Sequence, residues 1–348
     1  MPAHRIGLIG AGAIGRMHAA IIGDHPGCLL AAIADPGDDA RAFAARLGVA
    51  WFAGPGAMLD GVSLDGVIIA TPNDLHLAGA REVMARGLPM IVEKPVADRF
   101  EHGEALADAA EQSGVPVLIG HHRRHNPIIR QAHRLVREGA LGEITMANVL
   151  YNFTKPAAYF ETAWRRSKGN GGPVLINLIH EIDLIRHLCG EITSVQALTS
   201  NARRGFEVED SAAVLLRLAG GGLVTLSVTD SAAAPWSWDL ASGEAAHYPP
   251  QPVPVQTHFI CGTKASLALP TLEFWRYDGT PDWMAPINRT AIAVGQANPY
   301  AEQLRHFCAV IEGRETPLVT ARDAARSLRA TMAVHQAAAT GRMVELAG

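Results

Sequence analysis

Between Arg5 and Ile119 short apolar runs recur, separated by stretches of helical length and polarity. The runs are "RIGLIG", "LLAAIAD", "DGVIIAT", "MIVEKP" and "VPVLIG". None of them alternates apolar with polar residues. A continuous apolar run of this length is what a strand needs when both of its faces are covered. The intervening "NDLHLAGAREVMARG" (73–87) and "DRFEHGEALADAAEQSG" (98–114) read as helices. The second opens with Asp98 and Glu101 at capping-box spacing and closes on Gly114. Strand–helix alternation of this kind predicts a doubly wound parallel α/β sheet.

A chain of 348 residues is too long for one ordinary core. The pattern changes after Gly120, so residues 1–120 are expected to form one domain and 121–348 a second. Net charge is −4 with no Lys/Arg block, which gives no electrostatic basis for nucleic acid or an anionic membrane as partner. No apolar stretch reaches the roughly 18–20 residues that span a bilayer. The first strand is expected from about Arg5, leaving no room ahead of it for a signal peptide. Cys28, Cys189, Cys261 and Cys308 lie far apart with no CxxC pair, the pattern of free thiols in a reducing cytoplasm.

The first strand runs into "GAGAIG", which places Gly10, Gly12 and Gly15 in GxGxxG spacing around Ala13 and Ile14. Gly10 permits a tight turn, Gly12 lets backbone approach a pyrophosphate, and Gly15 allows close helix–strand packing. A diphosphate would sit on the amides at the helix start, favoured by the helix dipole. Asp35 ends the next strand, where a carboxylate accepts hydrogen bonds from the adenosine ribose hydroxyls and repels a 2′-phosphate. NAD is therefore expected in preference to NADP, with Arg41 the one nearby cation that would favour NADP. Two more strand ends face the same crevice: Thr71, Pro72, Asn73 and His76 after the fourth strand, and Glu93, Lys94 and Pro95 after the fifth. Lys94 is expected beside the nicotinamide, its ammonium steadied by Glu93.

The second half carries strand patterns at "EITMANVLYNF" (143–153), "SAAVLLRL" (211–218), "GLVTLSVTD" (222–230) and "THFICGT" (257–263), which predict an antiparallel sheet. Segment 232–256, with Trp236, Trp238 and five prolines, is expected as an aromatic loop able to wall a pocket. "HHRRHNP" (121–127) leads into a helix. Its histidines His121, His122 and His125 have no Cys or carboxylate beside them and no HExxH spacing, so no metal is expected. "GGPVLINLIHEIDLIRHLCG" (171–190) is a helix with Pro173 in its first turn and Gly190 at its exit. At 100° per residue His180, Asp183 and His187 share one face with Ile176 beside them. A polar stripe on a buried helix requires a cleft or satisfied partners.

The ordered set "GAGAIG", "IADP", "ATPNDLH" and "EKP", followed by "GG…HEIDLIR", resembles the glucose–fructose oxidoreductase/inositol dehydrogenase (Gfo/Idh/MocA) family over nearly the whole chain. The resemblance implies an N-terminal Rossmann domain and a C-terminal α+β domain. The latter would carry a large open-faced, mainly antiparallel sheet that builds a homo-oligomer, dimer or tetramer. The last helices, near Tyr300–Glu312 and Thr320–Thr340, would return across the nucleotide domain. It further implies that Lys94 and His180 meet at the reacting carbon, and that His122, Arg123 and Asn126 line the cofactor and substrate pocket. Trp164, Arg165 and Tyr151 are further candidates for contact. The acid that often precedes the family's His by one turn is absent, its position taken by Ile176 with Asn177 adjacent.

The expected activity is NAD-dependent oxidation of a sugar, polyol or related cyclic alcohol. His180 or Lys94 would take the hydroxyl proton and the other would steady the oxygen. Asn177, His180, Asp183 and Arg123 supply hydrogen-bonding groups for a polyhydroxylated ring but no cation cluster for a carboxylate. Two alternatives share these motifs: a redox-neutral, NAD-dependent glycoside-cleaving enzyme and a non-catalytic nucleotide or sugar sensor.

Overall fold

The computed structural model describes residues 3–244 and 248–346, which fall into two compact units. One holds the chain up to His122 together with Pro299–Leu328; the other holds Arg123–Asn298 and the residues from Arg329 onward. The first unit thus reclaims a C-terminal segment that the simple 1–120 and 121–348 division leaves in the second.

The chain begins with β1 (His4–Ile9), α1 (Ala13–Asp24), β2 (Cys28–Ala34), α2 (Asp38–Leu47), β3 (Ala50–Phe52), α3 (Pro55–Gly61) and β4 (Gly66–Ile69). It continues with α4 (His76–Met84), β5 (Met90–Val92), α5 (Phe100–Ser113) and β6 (Val117–Ile119). All six strands are parallel in the order β3-β2-β1-β4-β5-β6. Ile6, Leu8, Ile33, Ile68, Ile69 and Val92 are fully buried, which is why these strands carry no polar alternation. Strand order reverses between β1 and β4, and ligands of such sheets bind at the carboxyl ends beside that point.

One local expectation fails. The N-cap of α5 is Arg99, with no side-chain bond, and Asp98 instead accepts a hydrogen bond from the His102 ring at 2.6 Å. A side chain one turn away captures the carboxylate that a capping box would use. Gly114 ends the helix in the left-handed conformation, φ 66°.

The second unit opens with α6 (Pro127–Arg137), β7 (Ile144–Thr154), α7 (Ile179–Cys189), β8 (Ile192–Ser200), β9 (Ser211–Leu218) and β10 (Leu223–Thr229). Then come β11 (Ser231–Trp236), the short α8 (Trp238–Ala241), β12 (His258–Gly262), β13 (Ala265–Leu269), β14 (Glu273–Tyr277) and β15 (Ile287–Ala291). The chain closes with α9 (Pro299–Ile311), α10 (Ala321–Thr340) and β16 (Val344–Glu345). The sheet runs β15-β14-β13-β12-β7-β10-β9-β8-β16, with β11 pairing to β7 off that path. Every pairing is antiparallel except β7 with β10. Along β9, Ala212, Val214, Leu216 and Leu218 are buried while the residues between them are exposed or half-exposed. Leu178, Ile182 and Ile185 join the same core, as do Ala333 and Val334 of α10.

The loop expected over 232–256 is partly ordered as strand. β11 contains Pro235, yet it touches β7 only near Asn152 and Thr154, an edge position where the missing N–H breaks no ladder. Trp238 is fully buried, edge-on to the His258 ring, so it belongs to the core and only the exposed Trp236 fits an aromatic wall. Residues 245–247 of that segment lie outside the described residues.

Within the first unit α9 packs on α1, and the Ile119 amide donates to the Val319 carbonyl at 2.9 Å. Among the described residues no helix is long and apolar enough to cross a membrane.

Candidate active site

The glycine loop joins β1 to α1 as its spacing implies. Gly10 has φ 92°, and a Cβ there would come within 2.6 Å of the Ala70 carbonyl, just past the end of β4. A Cβ on Gly15 would collide with the Gly10 carbonyl. Gly12 is different: nothing in the protein lies within 4 Å of the position its Cβ would take. Its lack of a side chain therefore answers to something that approaches from outside, as a pyrophosphate does. Gly12 is also the N-cap of α1 and offers no capping side chain, while Ala13 and Ile14 of the first turn are exposed. These residues fit a dinucleotide.

Asp35, beyond the end of β2, is held by two backbone amides. Its Oδ2 accepts from Ala11 N–H and its Oδ1 from Gly37 N–H, each at 2.8 Å. The carboxylate is thereby fixed beside the glycine loop. Arg41 lies with its guanidinium 5.2 Å from the centre of the Trp51 ring.

After β4, Thr71, Pro72 and Asn73 turn toward α4. His76, expected among the cofactor contacts, is fully buried, with Nε2 3.0 Å from the Thr71 carbonyl and Nδ1 3.0 Å from that of Pro95. It ties the turn after β4 to the turn after β5 instead of facing a ligand. Burial pushes its pKa down, against the pull of those two carbonyls.

At the end of β5, Glu93 is buried and Lys94 half-buried. Glu93 Oε1 lies 2.7 Å from Nε2 of His18, and Oε2 accepts from the Lys94 backbone amide at 3.2 Å. The carboxylate packs over Gly120, where a Cβ would stand 2.9 Å from it. Burial alone would raise the Glu93 pKa, but the hydrogen bond and charge of His18, with the charges of His122 and Lys94, outweigh it and hold the group ionised. The His122 ring stacks on Tyr300 at 3.9 Å, and Tyr300 meets His18 edge-on. His18 and Tyr300 were not singled out from sequence. The one available signal was His18 itself, a polar residue on the buried face of α1.

In the second unit the expected 171–190 helix begins with a π-helical turn, Val174–Leu178, before α7. This turn carries Asn177, and His180 follows near the start of α7, buried. The stripe drawn through His180, Asp183 and His187 divides among different partners. Asp183 takes Arg124 in a fork, Nε to Oδ2 at 2.8 Å and Nη2 to Oδ1 at 2.6 Å. His187 stacks on His133 of α6 at 4.0 Å. Satisfied partners on α6 and just before it therefore explain the last two members of the stripe.

Arg123 is also committed within the protein. Its Nη1 donates to Glu181 at 2.6 Å and its Nη2 to Asp239 at 2.7 Å, with Glu244 3.4 Å from Nε. Burial opposes its charge, but these three carboxylates hold it well above its ordinary pKa. The second oxygen of Glu181 lies 2.7 Å from His258. Asp239 accepts from the Tyr151 hydroxyl, which accepts from Asn177 Nδ2 at 3.1 Å. Burial, then Asp239, raises Tyr151 far above its ordinary range, so it remains a phenol. Asn177 Oδ1 accepts from Lys155 at 2.6 Å, and Asp230 stands 3.8 Å from that ammonium. One continuous network thus runs from His258 through Glu181, Arg123, Asp239, Tyr151 and Asn177 to Lys155. Asn126, expected in the pocket, caps α6 by accepting from Ile128 N–H at 2.9 Å and donates to Glu244 at 2.9 Å. Trp164 is exposed, and Arg165 stacks on Tyr159 at 4.0 Å while donating to its carbonyl.

Residues 4–121 match the model of an oxidoreductase family with an NAD-binding Rossmann fold, GFO/IDH/MocA, and residues 129–268 match that of the GFO/IDH/MocA C-terminal domain. The chain belongs to the Gfo/Idh/MocA oxidoreductases. It is 32% identical to the rhizopine catabolism protein MocA of Rhizobium meliloti over 65% of this chain and 72% of that one. To the scyllo-inositol 2-dehydrogenase (NAD(+)) of Bacillus subtilis it is 25% identical, over 98% and 96%. Its fold is similar to that of the WlbA dehydrogenase from Bordetella pertussis, solved with NADH and UDP-GlcNAcA, at TM-score 0.79, 25% identity and 99% coverage of each chain. As a Gfo/Idh/MocA protein this chain is an NAD(P)-dependent oxidoreductase.

Proposed function

We propose that this oxidoreductase converts a secondary alcohol of a sugar, polyol or related cyclic compound to the ketone, using NAD. The observation that carries the reading is Lys94, half-buried at the carboxyl end of β5 and followed back to a buried, ionised Glu93. A strand that ends in a buried carboxylate and an ammonium is organised for a polar event at that end of the sheet. Bound NAD supplies the hydride acceptor at nicotinamide C4. Gly10, Gly12 and Gly15 would hold its diphosphate with Ala13 and Ile14. Asp35 would hold the adenosine ribose, which selects NAD over NADP, and Thr71, Pro72 and Asn73 with His122 would complete the cofactor contacts.

Lys94 and His180 would handle the hydroxyl proton. One would accept it as the C–H bond weakens, and the other would donate a hydrogen bond to the developing alkoxide. Asn177, three residues before His180, has one N–H on Tyr151 and its carbonyl on the Lys155 ammonium, and its second N–H would serve a ring hydroxyl; Tyr151, Trp164 and Arg165 are further candidates. Arg123 and Asp183 act instead as struts, since their bonds are taken up inside the protein. The substrate class is supported by the relatives, which include a scyllo-inositol dehydrogenase and a dehydrogenase solved with a sugar nucleotide.

We place the enzyme in the cytoplasm as a homo-oligomer. The uncovered face of the large sheet presents Leu198, Leu215, Leu223, Met146 and Phe259, all exposed large apolar side chains that a second copy would bury. A screen of cyclitols, aldoses and sugar acids for NADH absorbance tests the activity. Turnover that survives in both Lys94→Ala and His180→Ala would overturn the assignment of the pair.

A further inference from the structure

At the opposite, amino-terminal end of β2, away from the cofactor loops, two thiols face each other. Cys28 begins β2 and Cys308 lies in α9, 280 positions apart in sequence, with their sulfurs 3.2 Å apart. Both belong to the first unit. His25 completes a group of three whose ligand atoms lie within 4.8 Å of one another. Two readings compete, a metal site and a redox pair.

The geometry favours the second. Two thiolates on a tetrahedral zinc stand about 3.7 Å apart, given zinc–sulfur bonds of ~2.3 Å. His25 Nδ1 accepts a hydrogen bond from Gly27 N–H at 3.1 Å, which leaves the neutral ring's proton on Nε2. A metal on this histidine must break that bond or displace that proton. The sulfurs need no third partner. Cys28 is half-buried and Cys308 buried, so only a small reagent reaches the pair.

We propose that Cys28 and Cys308 are a reversible redox pair that a hydroperoxide, such as hydrogen peroxide, oxidises to a disulfide. Either sulfur can donate to the other across the 3.2 Å contact, so that one thiol holds the shared proton and the other gains thiolate character; the positive charge of His4 favours the thiolate on Cys308. With that charge beside it, Cys308 is assigned as the thiolate that attacks the peroxide. The sulfur–oxygen bond forms, the O–O bond breaks, and the leaving hydroxide takes a proton to become water. Cys28 sulfur then attacks the Cys308 sulfenic acid; the S–S bond forms, the S–O bond breaks, and the hydroxide leaves as a second water with the Cys28 proton. Two thiols lose two electrons and one peroxide becomes two waters. Closure moves the sulfurs from 3.2 Å to about 2.05 Å, a shift within the reach of side-chain rotation.

The bond would tie β2 to α9, the helix that packs on α1 and carries Tyr300 against His18 and His122. The redox pair does not depend on the identity of the substrate.

The test uses the full chain, reduced, treated with one equivalent of hydrogen peroxide, alkylated and digested without reductant. The expected result is a linked peptide pair containing Cys28 and Cys308, with Cys189 and Cys261 still alkylated. Dithiothreitol should reverse it, and the oxidised form should melt higher by about 5 °C because the bond closes a very long loop. In Cys28→Ser, Cys308 should accumulate a sulfenic acid that dimedone traps; in Cys308→Ser, Cys28 should not. Equal alkylation of all four cysteines after peroxide would overturn the proposal. So would stoichiometric zinc in the purified protein that is lost from both serine variants.

Discussion

Asp183→Asn distinguishes a strut from a substrate contact. The Asp183 and Arg124 side chains are 2% and 5% exposed, and two hydrogen bonds join them. Removing one partner of such a buried pair costs roughly 3–5 kcal/mol, because the other charge stays buried and loses this counterion. Asparagine keeps the shape and one carbonyl acceptor, so one of the two bonds survives at reduced strength. The expected loss is then about 2–3 kcal/mol, or a melting point lower by ~5–10 °C for a unit of this size. Urea and thermal unfolding measure it directly. Arg124→Met should cost a similar amount, whereas the double variant Asp183→Leu/Arg124→Met should recover most of the loss, since no charge is stranded. The KM for the substrate should stay near the wild-type value in Asp183→Asn. An unchanged unfolding midpoint together with a tenfold rise in KM would refute the reasoning and return Asp183 to the substrate.

Lys94→Ala and His180→Ala should each lower turnover by about 10²–10⁴-fold with NAD affinity nearly intact, measured by steady-state kinetics and cofactor titration. Asp35→Ala should narrow the preference for NAD over NADP, and tighter NADP binding by the wild type would contradict the role given to the carboxylate. Glu93 has a pKa held below its ordinary 4.5, chiefly against burial, so its contribution to stability is present above that value and is lost as pH falls through the lower folded value. His18→Ala removes the leading opponent of burial and should move acid unfolding to higher pH; an unshifted acid transition would count against the Glu93–His18 pair. Light scattering at micromolar concentration should show a dimer or tetramer, and a monomer would leave the apolar sheet face unexplained.

The parallel sheet was readable because strands such as β1 and β4 are buried on both faces and leave an uninterrupted apolar signal. The glycine loop was readable because each glycine answers a separate steric demand. The start of α5 was misread for a local reason: His102 sits one turn beyond Asp98 and competes for the same carboxylate. In the second half, the patterns marked β7, β9, β10 and β12 but not β11, whose proline is tolerated only because it lies off the main path of the sheet. Nothing in the sequence marked the π-helical turn before α7.

The site was legible in its residue types and not in its pairings. Arg123 meets Glu181 58 positions away and Asp239 116 positions away, separations at which one sequence carries no pairing signal. Lys155 did carry a signal that went unread. "FTKP" ends β7 as "VEKP" follows β5, and in both a lysine leaves a buried strand just before a proline. The buried network itself needs a reason, since replacing such ion pairs by apolar side chains is often neutral or stabilising. Core stability does not supply one. Orientation does: the chain of bonds from Glu181 through Arg123, Asp239 and Tyr151 fixes the amide of Asn177, three residues before His180. A polar group held in this way need not reorganise when charge develops on a substrate oxygen. Glu93 is held by His18 on the same principle, which is why the strand that carries Lys94 ends in a carboxylate at all.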